Sequence, residues 1–188
     1  MRKLILFCLL LFIGVFCSAC VNSFAVYELN EKAMELMDAG DSEGAIARWE
    51  SIIDLDPNVY EARYNLANAY IGANKCETAL EHALVAEKVS KKEPLANYIL
   101  AVAYDCAANQ LLETKDEEGQ IIKKEFSTKE NEINAVKKYI DYLENAEKNY
   151  DIYVTEIKNT EDSDDIVKKI SEIKQTISIK KEEYKTQL

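Results

Sequence analysis

The side chains able to do covalent or metal chemistry are few and far apart. Five cysteines (Cys8, Cys17, Cys20, Cys76 and Cys106) and one histidine, His82, are spread over 188 residues. The one Cys-x-x-Cys, Cys17 to Cys20, lies in the N-terminal segment; past it no Cys-x-x-Cys occurs and no second histidine accompanies His82, so a second pair of zinc ligands is missing. Neither a Gly-rich phosphate loop nor a Gly-x-Ser-x-Gly turn is present. Carboxylates abound, but paired-carboxylate catalysis needs two of them in a dry cleft, and here they fall where solvated helix faces are expected. The reading is a chain with no catalytic residues, no metal and no cofactor. What remains is thiol chemistry. Cys76 and Cys106 are an even pair once the three N-terminal cysteines are set aside. In an oxidising compartment they are either a disulfide or two buried thiols packing as small hydrophobes.

The N-terminal cysteines lie in a segment unlike the rest. Arg2 and Lys3 precede LILFCLLLFIGVF, Leu4 to Phe16, which carries no charge, and Ser18-Ala19 follow. A basic start, an apolar stretch of ~7–15 residues and small residues before a cut describe a secretory signal. An uncleaved anchor helix is the other reading, but a span needs ~20 residues. Cys17-Ser18-Ala19-Cys20 resembles a bacterial lipobox, with Cys17 standing where an aliphatic residue is usual. The resemblance implies cleavage after Ala19 and lipidation of Cys20. An ordinary peptidase cutting at the same bond would release a soluble product instead. Val21 replaces the Asp that retains many lipoproteins at the inner membrane, so the expected location is the outer membrane, facing the periplasm.

The formal charge is −11, from 23 basic and 34 acidic residues. Loss of Arg2 and Lys3 with the leader leaves 21 basic against 34 acidic, a balance of −13. Such a surface repels nucleic acid and anionic lipid.

The elements that position these residues read as helices. There are two prolines, five glycines and no run of alternating β-branched residues long enough for a sheet. A repeat is visible: Ala33, Ala67 and Ala101 are 34 residues apart, as are Ala45 and Ala79, and Gly40 and Asn74. Around them Leu29-x-x-x-Ala33-x-x-Leu36, Tyr64-x-x-Ala67-x-x-Tyr70 and Tyr98-x-x-Ala101-x-x-Tyr104 put a small residue between large ones on one helical face. This pattern resembles the tetratricopeptide repeat (TPR), a 34-residue pair of antiparallel helices. Residues 60–89 carry Leu66, Ala67, Tyr70, Ala79, Ala83 and Ala86 at the family's places, and the first repeat carries Ala33, Gly40, Ala45, Trp49 and Pro57. Helix pairs are expected at about 26–38 with 42–55 and about 59–72 with 76–90, with a further first helix from about Pro94, a favoured first-turn residue, to Leu112.

The third repeat departs from the pattern. LLETKDEEGQIIKKEF, Leu111 to Phe126, intervenes, with a turn signal at Asp116 to Gly119. It reads as a mobile surface loop, or as a short β-hairpin or an ordered loop. Ser127-x-x-Glu130 reads as a capping box opening a long helix to about Lys158. Its stripe is Ile133, Val136, Ile140, Leu143, Tyr150, Val154 and Ile157, broken by Glu147. Ser163 and Asp164 are expected to cap a final helix with Ile166, Ile170, Ile173, Ile177 and Tyr184. The two stripes predict a helical hairpin that shields the open end of the repeats.

The expected fold is therefore all-α: a TPR-type α-solenoid of about three helix pairs with a long C-terminal helical hairpin. The divisions are a signal at 1–19, a lipidated Cys20 and tether at 20–25, repeats at 26–112, an insertion loop at 113–128 and the hairpin at 129–188. The resemblance implies a partner groove on the first helices. Its places map to Tyr27, Asn30, Met34 and Met37, to Tyr64, Asn68 and Ile71, and to Tyr98, Val102 and Asp105. Tyrosine, methionine and asparagine suit a peptide, offering amphipathic area and amide hydrogen bonds, while Tyr64 and Tyr98 read equally as residues that pack between helices. Basic residues of the kind that clamp a C-terminal carboxylate are missing from these places. The expected function is a membrane-anchored, non-catalytic scaffold that binds other envelope proteins or peptides. Its plan resembles TPR lipoproteins of outer-membrane protein assembly or pilus secretin assembly. The alternative is a structural envelope lipoprotein that self-associates through the C-terminal hairpin.

Overall fold

The computed structural model describes residues 23–116, 118–157 and 161–185. The signal and Cys20 lie outside the described residues. Among the described residues, seven helices and one β-hairpin follow in order: α1 (23–38), α2 (Ser42–Leu55), α3 (Tyr60–Gly72), α4 (Cys76–Val89), α5 (Pro94–Leu112), β1 (Glu113–Lys115), β2 (Ile121–Lys123), α6 (Lys129–Ile157) and α7 (Glu161–Lys185). The chain divides at Ala62 and Arg63 into two compact units.

In the first unit, α1 begins at residue 23, so residues 23–25 of the expected tether are helical. Ala33 and Ala45 are fully buried between α1 and α2, where a larger side chain would push the helices apart. Trp49 and Ile52 fill the space beside them. Helix α1 ends at Gly40, whose φ of +81° is the left-handed conformation that closes a helix. Asp41 N–H donates back to Leu36 O at 2.8 Å, and the Asp41 carboxylate accepts from Gly44 N–H at 2.9 Å, capping α2.

The second unit repeats this turn. Asn74, with φ +57°, stands where Gly40 stands one repeat earlier, and Lys75 N–H donates to Tyr70 O at 2.8 Å. The next place in the 34-residue register is Ala108, which is fully buried and helical. Alanine favours the helix and resists the left-handed region. Helix α5 therefore runs on to Leu112 instead of turning.

Within 113–128 the described residues form a β-hairpin, one of the expected readings. β1 and β2 pair antiparallel with Thr114 opposite Ile122. The Asp116 carboxylate accepts from Glu118 and Gln120 N–H at 3.0 and 2.7 Å, and Gly119 takes φ +81° to close the turn. Helix α6 opens one residue later than the expected capping box, with Thr128 as cap. Its Oγ1 accepts from Asn131 N–H at 3.1 Å, and Asn131 Nδ2 donates to Ser127 Oγ at 2.9 Å.

Helix α6 packs on α5 as the second helix of the third repeat, and α7 packs on α6. Their shared core holds Ala101, Ala108, Tyr139, Ile140, Leu143, Ala146, Tyr150, Ile170, Ile173 and Ile177. Because α6 buries surface against two neighbours, its apolar face is wider than one stripe and takes in Tyr139 and Tyr153. Ala146, fully buried, fills the place beside the Glu147 break, and Glu147 pairs with Lys174 of α7 at 3.4 Å. Helix α7 starts at Glu161, two residues before the expected cap.

Candidate functional site

The groove places expected in repeat one divide in two. Tyr27 and Met34 are exposed on α1. Asn30 is not offered to a partner in the same way, because its Oδ1 accepts the Trp49 indole N–H at 3.0 Å. That bond satisfies the one polar atom of a buried tryptophan. Met37 is half-buried, and its sulfur accepts from Ser42 Oγ at 3.8 Å.

Repeat two leaves its places partly exposed. Tyr64 is half-buried, Asn68 exposed and Ile71 half-buried along α3. Tyr64 and Asn68, one turn apart, share a side-chain hydrogen bond. Burial raises the Tyr64 phenol above its ordinary value, with Tyr98 and Tyr153 adding to the effect and the Asn68 bond opposing it.

Repeat three is covered. The Tyr98 ring lies 5.0 Å from Tyr153 and 6.2 Å, edge-on, from Tyr150. Val102 packs against the core of α5, α6 and α7. Asp105 pairs with Lys169 of α7 at 2.8 Å. The three expected places of this repeat therefore face α6 and α7, and residues from those helices take part in their surroundings. Tyr150, Tyr153 and Lys169 are the participants that sequence reasoning missed at this site. The signal available for them was Tyr150 and Tyr153 at helical spacing three apart, which the single-stripe reading of α6 split.

The remaining reactive residues have structural partners. Tyr70 stacks on His82 with centroids 5.5 Å apart and rings within 10° of parallel. Arg63 Nη1 is 3.1 Å from His82 Nδ1. Burial lowers the Arg63 guanidinium from its ordinary value. Cys76 and Cys106 form a disulfide with Cα atoms 5.4 Å apart, joining the first residue of α4 to the last third of α5. Cys106 borders a cleft of about 560 Å³ that Asn74, Gln110, Thr114, Ile121 and Lys124 also line. Beside the bridge, Glu77 accepts from Lys138 Nζ at 3.0 Å and from Tyr142 OH at 3.3 Å, tying α4 to α6. Hydrogen bonding between Lys138 and Tyr142 first, and between Lys138 and Glu77 second, raises the Lys138 ammonium above its ordinary value. Among the described residues, no group of three or more His, Cys, Asp or Glu is placed to hold a metal ion. Among the same residues no helix is long and apolar enough to cross a membrane.

Comparison with known proteins places this geometry. The family model described as tetratricopeptide repeat matches residues 36–103. The first TPR domain of human RPAP3 is similar over 81% of this chain and 94% of its own, at 18% identity and a TM-score of 0.58. The first TPR of Spaghetti (RPAP3), solved bound to the HSP90 peptide SRMEEVD, is similar over 83% and 95%, at 17% identity and a TM-score of 0.59. The N-terminal domain of stress-induced protein-1 from C. elegans is similar over 81% and 97%, at 18% identity and a TM-score of 0.50. No curated protein sequence matches. The fold is that of an all-α tetratricopeptide solenoid.

Proposed function

We propose that this chain is a non-catalytic scaffold that binds a segment of another envelope protein on the first-helix face of its second repeat and is held at the membrane by a lipid on Cys20. The observation that carries the binding reading is the row Tyr64, Asn68 and Ile71 on α3. It presents a phenol, an exposed amide and an aliphatic side chain at i, i+4 and i+7 on a family-matched repeat helix. Such a row offers apolar area with hydrogen-bonding groups, the combination a bound peptide requires.

Charge narrows the partner. The peptide SRMEEVD, held by Spaghetti (RPAP3), carries three acidic residues and one basic. A chain of net charge −11 disfavours such a ligand, so the fitting segment is neutral or basic. The alternative of self-association through the hairpin has less to work with, because Ile170, Ile173 and Ile177 of α7 are buried within the chain.

Affinity purification from crosslinked cells tests the reading. Tyr64→Ala with Asn68→Ala should lose a partner that the wild-type chain captures. Lys91→Ala, an exposed change in the α4–α5 connection, should retain it. Equal capture by both variants contradicts the groove. Anchoring is tested separately by metabolic labelling with a fatty-acid analogue, which should mark the wild type and not Cys20→Ser.

A further inference from the structure

The first turn of α1 carries the two most exposed aromatic side chains among the described residues, Phe24 at 66% and Tyr27 at 60%. Three residues apart, they share one side of the helix. The opposite side faces the core through Ala33, fully buried, with Leu29 and Leu36 half-buried. Further along, the outward side changes character. Glu28, Glu31, Glu35 and Asp38 are all exposed there. The outward side of α1 is thus apolar at its N-terminal tip and acidic beyond it.

Chain length says what meets that tip. Phe24 lies four residues after Cys20, a distance of at most ~14 Å when extended. A lipid on Cys20 would be embedded in the bilayer, so the first turn of α1 would be held at the level of the headgroups. Tyrosine and tryptophan collect at that level because they combine apolar area with a polar tip, and a phenylalanine beside a tyrosine adds apolar area to bury. A helix lying flat in the interface would need a basic polar face, and this one is acidic.

We infer that Phe24 and Tyr27 form an interfacial foot, inserted at the headgroup–acyl boundary of the membrane that holds the Cys20 lipid. Helix α1 stands away from the surface, leaving Glu31, Glu35 and Asp38 in water. The inference rests on the lipid-anchor reading given above. It adds a second, non-covalent contact that fixes the tilt of repeat one, where the lipid alone would leave a swivel.

The test uses the full-length acylated protein in phosphatidylcholine vesicles with plain or brominated acyl chains. Phe24→Trp should show a blue-shifted added emission and lose most of it to the brominated lipid. Glu35→Trp, three turns further along, should keep its emission. Trp49, buried at 2% exposure, emits in both variants and reports that each is folded. If fatty-acid label never reaches Cys20, the anchor reading falls and the foot with it. If Cys20 is labelled but Trp at 24 stays unquenched, the foot alone is overturned. A blue shift that appears on adding envelope protein to such unquenched vesicles also overturns it, by showing that the aromatic tip meets protein.

Discussion

Lys169 on the last helix holds Asp105 of α5 at 2.8 Å, so the C-terminal hairpin closes over a place that the repeat pattern assigns to a partner. The Asp105 side chain is 17% exposed and that of Lys169 40%. Screening at that exposure keeps the pair modest, at about 0.5–1 kcal/mol in a double-mutant cycle. Lys169→Ala should cost more than Asp105→Ala, because it strands a half-buried carboxylate. Equal costs, or no coupling between the two, would show that the ion pair does not hold α7 in place.

The disulfide closes a 30-residue separation. The chain-entropy estimate for such a loop is ~3–4 kcal/mol. Cys76→Ser with Cys106→Ser should lower denaturant stability by up to that amount, and reductant should lower the wild type toward the double variant. Alkylation without reductant, followed by mass spectrometry, should find both thiols blocked. Two freely alkylated cysteines in envelope-derived protein would refute the bridge.

The matched turns at Gly40 and Asn74 give a paired expectation. Gly40→Ala forces a β-carbon into the left-handed region, at about 1–2 kcal/mol, whereas Asn74→Ala, whose β-carbon is already there, loses only asparagine's greater tolerance of that region and should cost less. Ala108→Gly, at the same register but within α5, should cost about 1 kcal/mol through helix propensity and more through the packing lost at a fully buried site. Thermal melts of the three variants check this. Stabilisation by Ala108→Gly would mean that α5 is strained there.

Much of this was legible because small residues recur at a fixed interval. Ala33, Ala67 and Ala101 mark helix crossings whatever surrounds them, and Gly40 and Asn74 announce their turns by type. The site was less legible, because its places depend on partners distant in sequence. Asn30 reads as a free amide until Trp49 is seen to bond it. Asp105 reads as a groove residue, and Tyr98 as either a groove or a packing residue, until α6 and α7 arrive from far along the chain. The width of the α6 face was hidden for a related reason. A helix that packs on two neighbours has no single stripe, and Tyr139 and Tyr153 then look like outward residues.

Alkali should unfold the chain through its buried phenols. Tyr150 and Tyr139 are raised above the usual 10.0, in each case by burial first and by Asp105 among nearby charges. Tyr104 is raised by burial and then by Asp141. A raised phenol contributes stability that is fully present below pH 10 and is lost as pH rises through the folded-state value. Thermal stability should therefore be insensitive to these groups at pH 7–9 and fall above pH 10. Ultraviolet titration should show a late-ionising class of tyrosines whose release coincides with unfolding. Release of all the tyrosines near pH 10 with the fold intact would contradict the packing of α5, α6 and α7.

Site-specific photo-crosslinking in cells tests the central claim most directly. A photo-reactive residue at Asn68, on the open face of repeat two, is compared with one at Lys88, exposed on α4. The account predicts a discrete adduct with one other envelope protein from position 68 and none from position 88. Identical adducts from both positions, or adducts only with a second copy of this chain, would contradict it.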